Sequence, residues 1–179
     1  MNIQMLDHRM QGRISYELAL RISGMIKEVI DHANEGEYDM AQIEALKTIY
    51  HPQNIKNGVR GRVMFIAEDN GIAGVAQVKF ESDTCVIDNL YVDGNSQGQG
   101  IGCALHDAVE IQAKKQGEDT ILLHSLMFGK TLEFYRNRGY QERGEKNSIF
   151  DGVQVPLMRM EKYLDIEAQQ RVEFLLSNL

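Results

Sequence analysis

The run V-I-D-N-L-Y-V-D-G-N-S-Q-G-Q-G-I-G at positions 86–102 constrains the fold of this chain more than any other stretch. Its first half is β-branched and apolar, and its second half carries Gly94, Gly98, Gly100 and Gly102. Beyond it Ala104, Leu105, Ala108, Ile111 and Gln112 fall on one side of a helix stopped by Gly117. A strand that turns through glycines into a helix is an α/β element. Glycines allow close backbone approach to a ligand, and a helix start presents unpaired N–H groups with partial positive charge. Such a turn suits a phosphate or pyrophosphate, and by glycine count alone it equally suits a tight turn that binds nothing.

The flanking sequence fixes the setting. Leu18, Ile22, Met25, Ile26, Val29 and Ile30 recur at helical spacing and predict an amphipathic helix over 16–33. A shorter helix is expected over 40–50 through Ile43, Leu46 and Ile49, ended by Pro52 because the residue before proline avoids helical angles. The connector between them is acidic, with Glu35, Glu37 and Asp39. Short β-rich segments follow at 63–67, 74–80 and 84–92, and Asp69-Asn70-Gly71 predicts an antiparallel hairpin between the first two. After the central helix, the apolar run 120–126 reads as a strand buried on both faces, then come a helix over 130–137 and strands over 140–145 and 153–163. Ala168, Val172, Leu175 and Leu176 suggest a last amphipathic helix. The expectation is an α/β fold with a mixed sheet flanked by helices.

A chain of 179 residues buries about 70% of its surface on folding, enough for one core. We expect one domain over 1–165, with 166–179 packed on it or at a homodimer interface. Lys plus Arg is 19 and Asp plus Glu is 26, so 19 − 26 = −7, and without a dense basic run nucleic-acid binding is disfavoured. No apolar run is long enough for a membrane span, and Asp7, His8 and Arg9 interrupt any signal-type stretch, so a cytoplasmic address and no membrane partner are expected. Cys85 and Cys103 make no disulfide framework, and Cys103 reads as a small buried residue. His106 and Glu110 share a helix face but read as a solvated pair, so no metal is expected.

Two phosphate-binding patterns fit poorly. A dinucleotide fingerprint needs G-x-G-x-x-G, whereas here Cys103 stands where the third glycine belongs, and no Gly-Lys-Ser/Thr follows the turn. Gln97-Gly98-Gln99-Gly100-Ile101-Gly102 instead matches Gln/Arg-x-x-Gly-x-Gly/Ala, the central motif of the GNAT superfamily of acyl-CoA-dependent N-acetyltransferases. Leu90-Tyr91-Val92 sits where that family's strand ends, and the segment 131–140, with Phe134, Tyr135, Gly139 and Tyr140, resembles its later Phe-Tyr-x-x-x-Gly-Phe element. The chain therefore resembles this family over about residues 14–163. Gly94 stands where Pro is common, Gln97 replaces the commoner Arg, and Phe128 occupies the offset of an Asn that often opens the later helix.

The resemblance implies a single GNAT-like domain whose mostly antiparallel sheet splays at the cofactor site. It implies acetyl-CoA as co-substrate, its pyrophosphate held by backbone N–H groups of Gln97, Gly98, Gln99, Gly100, Ile101 and Gly102. The pantetheine arm would pair with Leu90, Tyr91 and Val92. Acetyl transfer to a primary amine of a small molecule or peptide follows, with a CoA-binding module lacking turnover as the alternative. Tyr135 is the candidate proton donor, since a phenol stays protonated at neutral pH. Candidate bases are Asp88, which by alternation would share a strand face with Leu90 and Val92, and His124. The acidic residues Glu35, Glu37, Asp39 and Glu44 would favour a cationic acceptor.

Overall fold

A computed structural model describes residues 1–7, 14–33, 36–58, 60–82 and 84–164. In chain order the elements are β1 (Asn2–Asp7), α1 (Tyr16–Ala33), α2 (Met40–Ile49), α3 (Pro52–Gly58), β2 (Arg62–Glu68), β3 (Ile72–Glu81) and β4 (Thr84–Val92). A 3₁₀ turn (Gly94–Ser96), α4 (Ile101–Gln116), β5 (Thr120–Ser125), α5 (Gly129–Asn137), β6 (Gln141–Phe150) and β7 (Val153–Tyr163) follow. The suggested C-terminal helix over 166–179, Glu35 and the stretch around His8 and Arg9 lie outside the described residues. Among the described residues, no helix is long and apolar enough to cross a membrane.

Seven strands form one sheet in the order β1-β2-β3-β4-β5-β7-β6. Every pairing is antiparallel except β4 with β5, the two strands joined by α4. Each sheet face carries its own core. On one, Ile101, Leu105, Val109 and Ala113 of α4 pack on Val63, Phe65, Val78, Cys85, Ile87 and Leu123. On the other, Ile22, Ile26 and Ile30 of α1, with Ile43 and Leu46 of α2, cover Met64, Ile66 and Val75.

Several local expectations change. Pro52 stops α2 and also opens α3 at the position where a missing N–H costs nothing, with the carbonyl of His51 taking the first turn's N–H groups. β1 is an edge strand whose Met5 faces outward, so it carries no clean alternation. β5 is buried on one face only: Ile121, Leu123 and Ser125 are covered, whereas Leu122 and His124 open onto a cleft because no helix crosses them. α4 is rotated from the expected stripe, with Ile111 exposed. Cys103 is exposed on its first turn, not buried.

α4 lies tight against the sheet at Gly74 of β3. A Cβ there would lie 2.9 Å from the Tyr91 carbonyl oxygen, 2.9 Å from Leu105 Cδ1 and 3.3 Å from Ile101 Cγ2. The carbonyl belongs to the strand backbone and cannot swing away. Gly74→Ala is therefore expected to lower stability by about 1–3 kcal/mol through overpacking. A urea midpoint equal to wild type would show that the helix tolerates the shift.

Candidate active site

The site begins with a fork in the sheet. β4 and β5 pair only from Thr84 with Thr120 to Ile87 with Leu123, and then part. Past the fork, residues 88–92 keep β3 on one side and leave their other edge open. At the fork itself Ile87 faces Val78 and Asn89 faces Gln77, so Asp88 is the extra residue of a β-bulge. The bulge changes which way the following side chains point: Leu90 and Val92 pack with Cys85 and Ile87 under α4, and Tyr91 turns to the opposite core. Asp88 consequently does not share a face with Leu90 and Val92, contrary to simple alternation. Its carboxylate accepts a hydrogen bond from Arg62 Nε.

The glycine turn sits at the open end of β4. Asp93 organises its start, accepting from the Asn95 N–H at 3.1 Å, and Gln97 donates its side-chain amide to the Val92 carbonyl at 3.3 Å. Gly98 (φ 75°) and Gly100 (φ 81°) adopt left-handed angles that favour glycine. Gly100 caps α4 with no side-chain hydrogen bond, and the first helical contact runs from Ala104 N–H to its carbonyl. Among the described residues, no carbonyl or side chain accepts from the N–H groups of residues 98–103. The turn thus presents a row of unmatched donors at the positive end of a helix, which favours an anion. Phe134 packs beside Gly102, where a Cβ would meet its ring at 3.6 Å, an ordinary contact.

Fork and turn open into one cleft of about 1560 Å³, lined by Leu90, Tyr91, Val92, Gln97, Gly98, Gly100, Ile101 and Gly102 and also by Asp88, His124 and Tyr135. Of the expected ligand-binding residues only Gln99 is off its wall; its side chain donates to the Asn95 carbonyl at 3.1 Å. Tyr135 is clamped edge-to-face between Phe134 and Tyr140, with centroids at 5.1 and 5.3 Å. No described residue hydrogen-bonds its hydroxyl, and burial pushes its pKa far above the ordinary phenol value. His124 is half-buried one residue past the fork. Burial, then the charges of Lys146, Arg159 and Lys79, pull its pKa down, which keeps it neutral at neutral pH.

Other residues of the cleft gave no sequence signal. Tyr50, at the end of α2, shares a hydrogen bond of 3.0 Å with the Tyr91 hydroxyl. Burial raises the Tyr50 pKa to about 12. Tyr38, in the connector between α1 and α2, accepts from the Met127 N–H at 2.9 Å and donates to the Pro156 carbonyl at 2.7 Å, so it ties that connector to the mouth of α5. Phe128, at the offset of the absent Asn, is the N-cap of α5 and stacks edge-to-face on Tyr38. The acidic connector is partly spent: Asp39 caps α2 in a reciprocal pair with Gln42, and Glu44 pairs with Lys47 at 2.8 Å.

Behind Tyr135, His106 and Glu110 form no solvated pair. His106 is fully buried, its Nε2 2.8 Å from the Tyr140 hydroxyl and its Nδ1 3.2 Å from Glu110 Oε1. Desolvation, reinforced by Arg138 and Lys162, lowers its pKa to about 3. In the unfolded chain it titrates near the ordinary value, about 6.5. Between those values the unfolded chain binds the extra proton, so acidification favours unfolding. Stability is expected to fall by up to about 1.4 kcal/mol per pH unit from this residue below pH about 6.5. Denaturant melts of wild type and His106→Gln across that range test this, and parallel pH dependences would refute it. Among the described residues no group of three His, Cys, Asp or Glu could hold a metal ion.

Comparison with known proteins matches this architecture. No curated protein matches the sequence significantly. The fold is shared with a GCN5-related N-acetyltransferase from Rhodopseudomonas palustris, at 21% identity, TM-score 0.75, and coverage of 91% of this chain and 96% of that one. It is shared too with the PaiA N-acetyltransferase from Thermoplasma acidophilum, solved in complex with coenzyme A, at 19% identity, TM-score 0.69, and coverage of 91% and 99%. An aminoglycoside 6'-N-acetyltransferase complexed with coenzyme A aligns at 18% identity, TM-score 0.61, and coverage of 92% and 98%. The family model for the acetyltransferase (GNAT) domain matches residues 30–163, well over half of the sequence, and the chain belongs to that family of acetyltransferases.

Proposed function

We propose that the protein moves an acetyl group from acetyl-CoA to a primary amine of a small molecule or peptide by direct attack, without a covalent enzyme intermediate. The observation that carries this reading is the meeting, in one cleft, of an open strand edge past the fork with the unmatched N–H row at the start of α4. Bound coenzyme A in two structures of the same fold supports it.

In this reading the N–H groups of Gly98, Gln99, Gly100, Ile101 and Gly102 hold the pyrophosphate, and Gln97 braces the turn from Val92. The free edge of Leu90, Tyr91 and Val92 takes the pantetheine arm as an added strand, and one of its N–H groups holds the thioester oxygen as charge builds there. Acetyl-CoA supplies the activated acetyl group. The acceptor nitrogen forms the new N–C bond, the C–S bond breaks, and Tyr135 gives its proton to the leaving sulfur. The nitrogen's proton passes to His124 or Asp88, directly or through water. His124 has no hydrogen-bond partner among the described residues, whereas Asp88 is engaged by Arg62.

The test is a thiol-release assay with acetyl-CoA across peptide, polyamine, aminoglycoside and small-metabolite amines. Release that depends on an amine is the expected result. Acetyl-CoA binding with no amine-dependent release across the panel would leave a CoA-binding module without turnover.

A further inference from the structure

The wall of the cleft beside the fork is cationic, although the chain as a whole carries −7. Along β6, Lys146, Ser148 and Phe150, every second residue, line the cleft together, as the period of a strand requires. On the neighbouring strands His124 lines the same cleft, Arg159 stands directly across from it in the β5–β7 register, and Lys79 reaches in from β3. Lys79 is paired with Glu81 at 2.6 Å, and Glu161, 3.7 Å from Arg159, also accepts from Arg143. Lys146, Ser148 and His124 have no hydrogen-bond or ion-pair partner among the described residues. Three unmatched donor groups thus gather on one stretch of wall. The depressed pKa of His124, to which Lys146, Arg159 and Lys79 all contribute, is the electrostatic mark of the same crowding. Of the carboxylates that line the cleft, Glu28 and Glu37 belong to α1 and the connector, while Glu81 and Asp88 on the sheet side are paired with Lys79 and Arg62.

We infer that Lys146, Ser148 and the cations around His124 form an anion subsite, and that the acceptor carries a carboxylate or phosphate-type group besides its amine. This rests on the acetyl-transfer reading and reverses the preference for a cationic acceptor that the acidic connector suggested. An anion there meets an ammonium, a hydroxyl and a positive field, and hydrogen bonds between charged partners are the stronger ones. The amine is then held at a fixed distance from its own acidic group, so the subsite also sets the length of acceptor that reaches the fork.

The experiment uses a matched set of compounds sharing one primary amine: the free carboxylate, its primary amide and its phosphonate. The carboxylate or the phosphonate is expected to exceed the amide in kcat/KM by about tenfold or more, and the better of the two identifies the acidic group. Lys146→Glu should erase that margin, read as the acid-to-amide ratio within each protein so that any common effect on the base cancels, while leaving acetyl-CoA affinity unchanged; Lys146 is exposed, so the fold tolerates the change. An amide used as well as either acid, or a margin that survives Lys146→Glu, overturns the inference. Calorimetric binding of the three compounds to the CoA-saturated protein gives the same comparison without turnover. A failure of the transferase reading, seen as no thiol release with any of the three compounds, is thereby separated from a failure of the subsite, seen as no preference for the acids in binding.

Discussion

Tyr135→Phe should lower turnover by about 10²- to 10⁴-fold, or roughly 3–5 kcal/mol in the barrier, with acetyl-CoA affinity nearly intact. The ring stays because its position is set by packing: Phe134 and Tyr140 hold it edge-to-face from two sides, and Tyr140 is itself held by His106. Only the proton is lost. No described residue competes for that hydroxyl, and burial keeps it protonated well beyond the working range of the reaction. A second expectation follows for the pH profile. Because the Tyr135 pKa is raised, its deprotonation contributes no fall in kcat/KM below pH about 10, and any change nearer neutrality belongs to the base or the acceptor amine. A loss under about threefold in Tyr135→Phe would make the residue a packing element and return the departing sulfur to a water for its proton.

Gly100→Val should abolish the acetyl-CoA-induced rise in melting temperature. In wild type, a hundredfold excess of ligand over its dissociation constant adds about 2.7 kcal/mol of stability. A Cβ at Gly100 meets no protein atom within 4 Å, so crowding inside the fold is not the reason. The reason is the φ of 81°, which a β-branched residue resists at a cost of about 1–3 kcal/mol, together with a side chain projecting where the unmatched N–H groups look outward. The free variant should therefore melt somewhat lower than wild type yet remain cooperatively folded by circular dichroism. A folded Gly100→Val protein with the full ligand shift would remove the turn from the binding site.

What could be read in the sequence was whatever is local. α1 was legible because Ile22, Ile26 and Ile30 all face one core at a helical period, and the hairpin of β2 and β3 because Asn70 (φ 55°) and Gly71 supply the turn it needs. The glycine turn was legible because Gly98 and Gly100 are demanded by backbone angles, which any neighbour would leave unchanged. The losses share one cause, dependence on partners distant in sequence. His106 looks like a surface residue until Tyr140, on the far side of β5 and α5, takes its Nε2. Gly74 looks replaceable until the Tyr91 carbonyl and Leu105 arrive above it. The apolar run of β5 does not say that one of its faces lacks a helix, so Leu122 reads as core although it opens onto the cleft. Asp39 and Glu44 read as free charges because capping and ion pairing are invisible in composition.

The bulge at Asp88 makes the open edge of β4 a matter of parity. Along a strand, successive residues present their N–H and C=O groups alternately left and right, just as side chains alternate up and down. One inserted residue inverts both alternations for everything downstream, so it selects at once that Leu90 and Val92 anchor under α4 and which of their backbone groups look into the gap left by β5. Pairing the same residues straight through, with Asp88 opposite Gln77, would leave the chain's composition and its helices as they are. It would nevertheless set Asn89, in place of Leu90, opposite Ala76 and so turn a polar side chain into the core under α4. The open edge is thereby set by an odd-or-even count, a discrete setting that substitutions do not tune gradually.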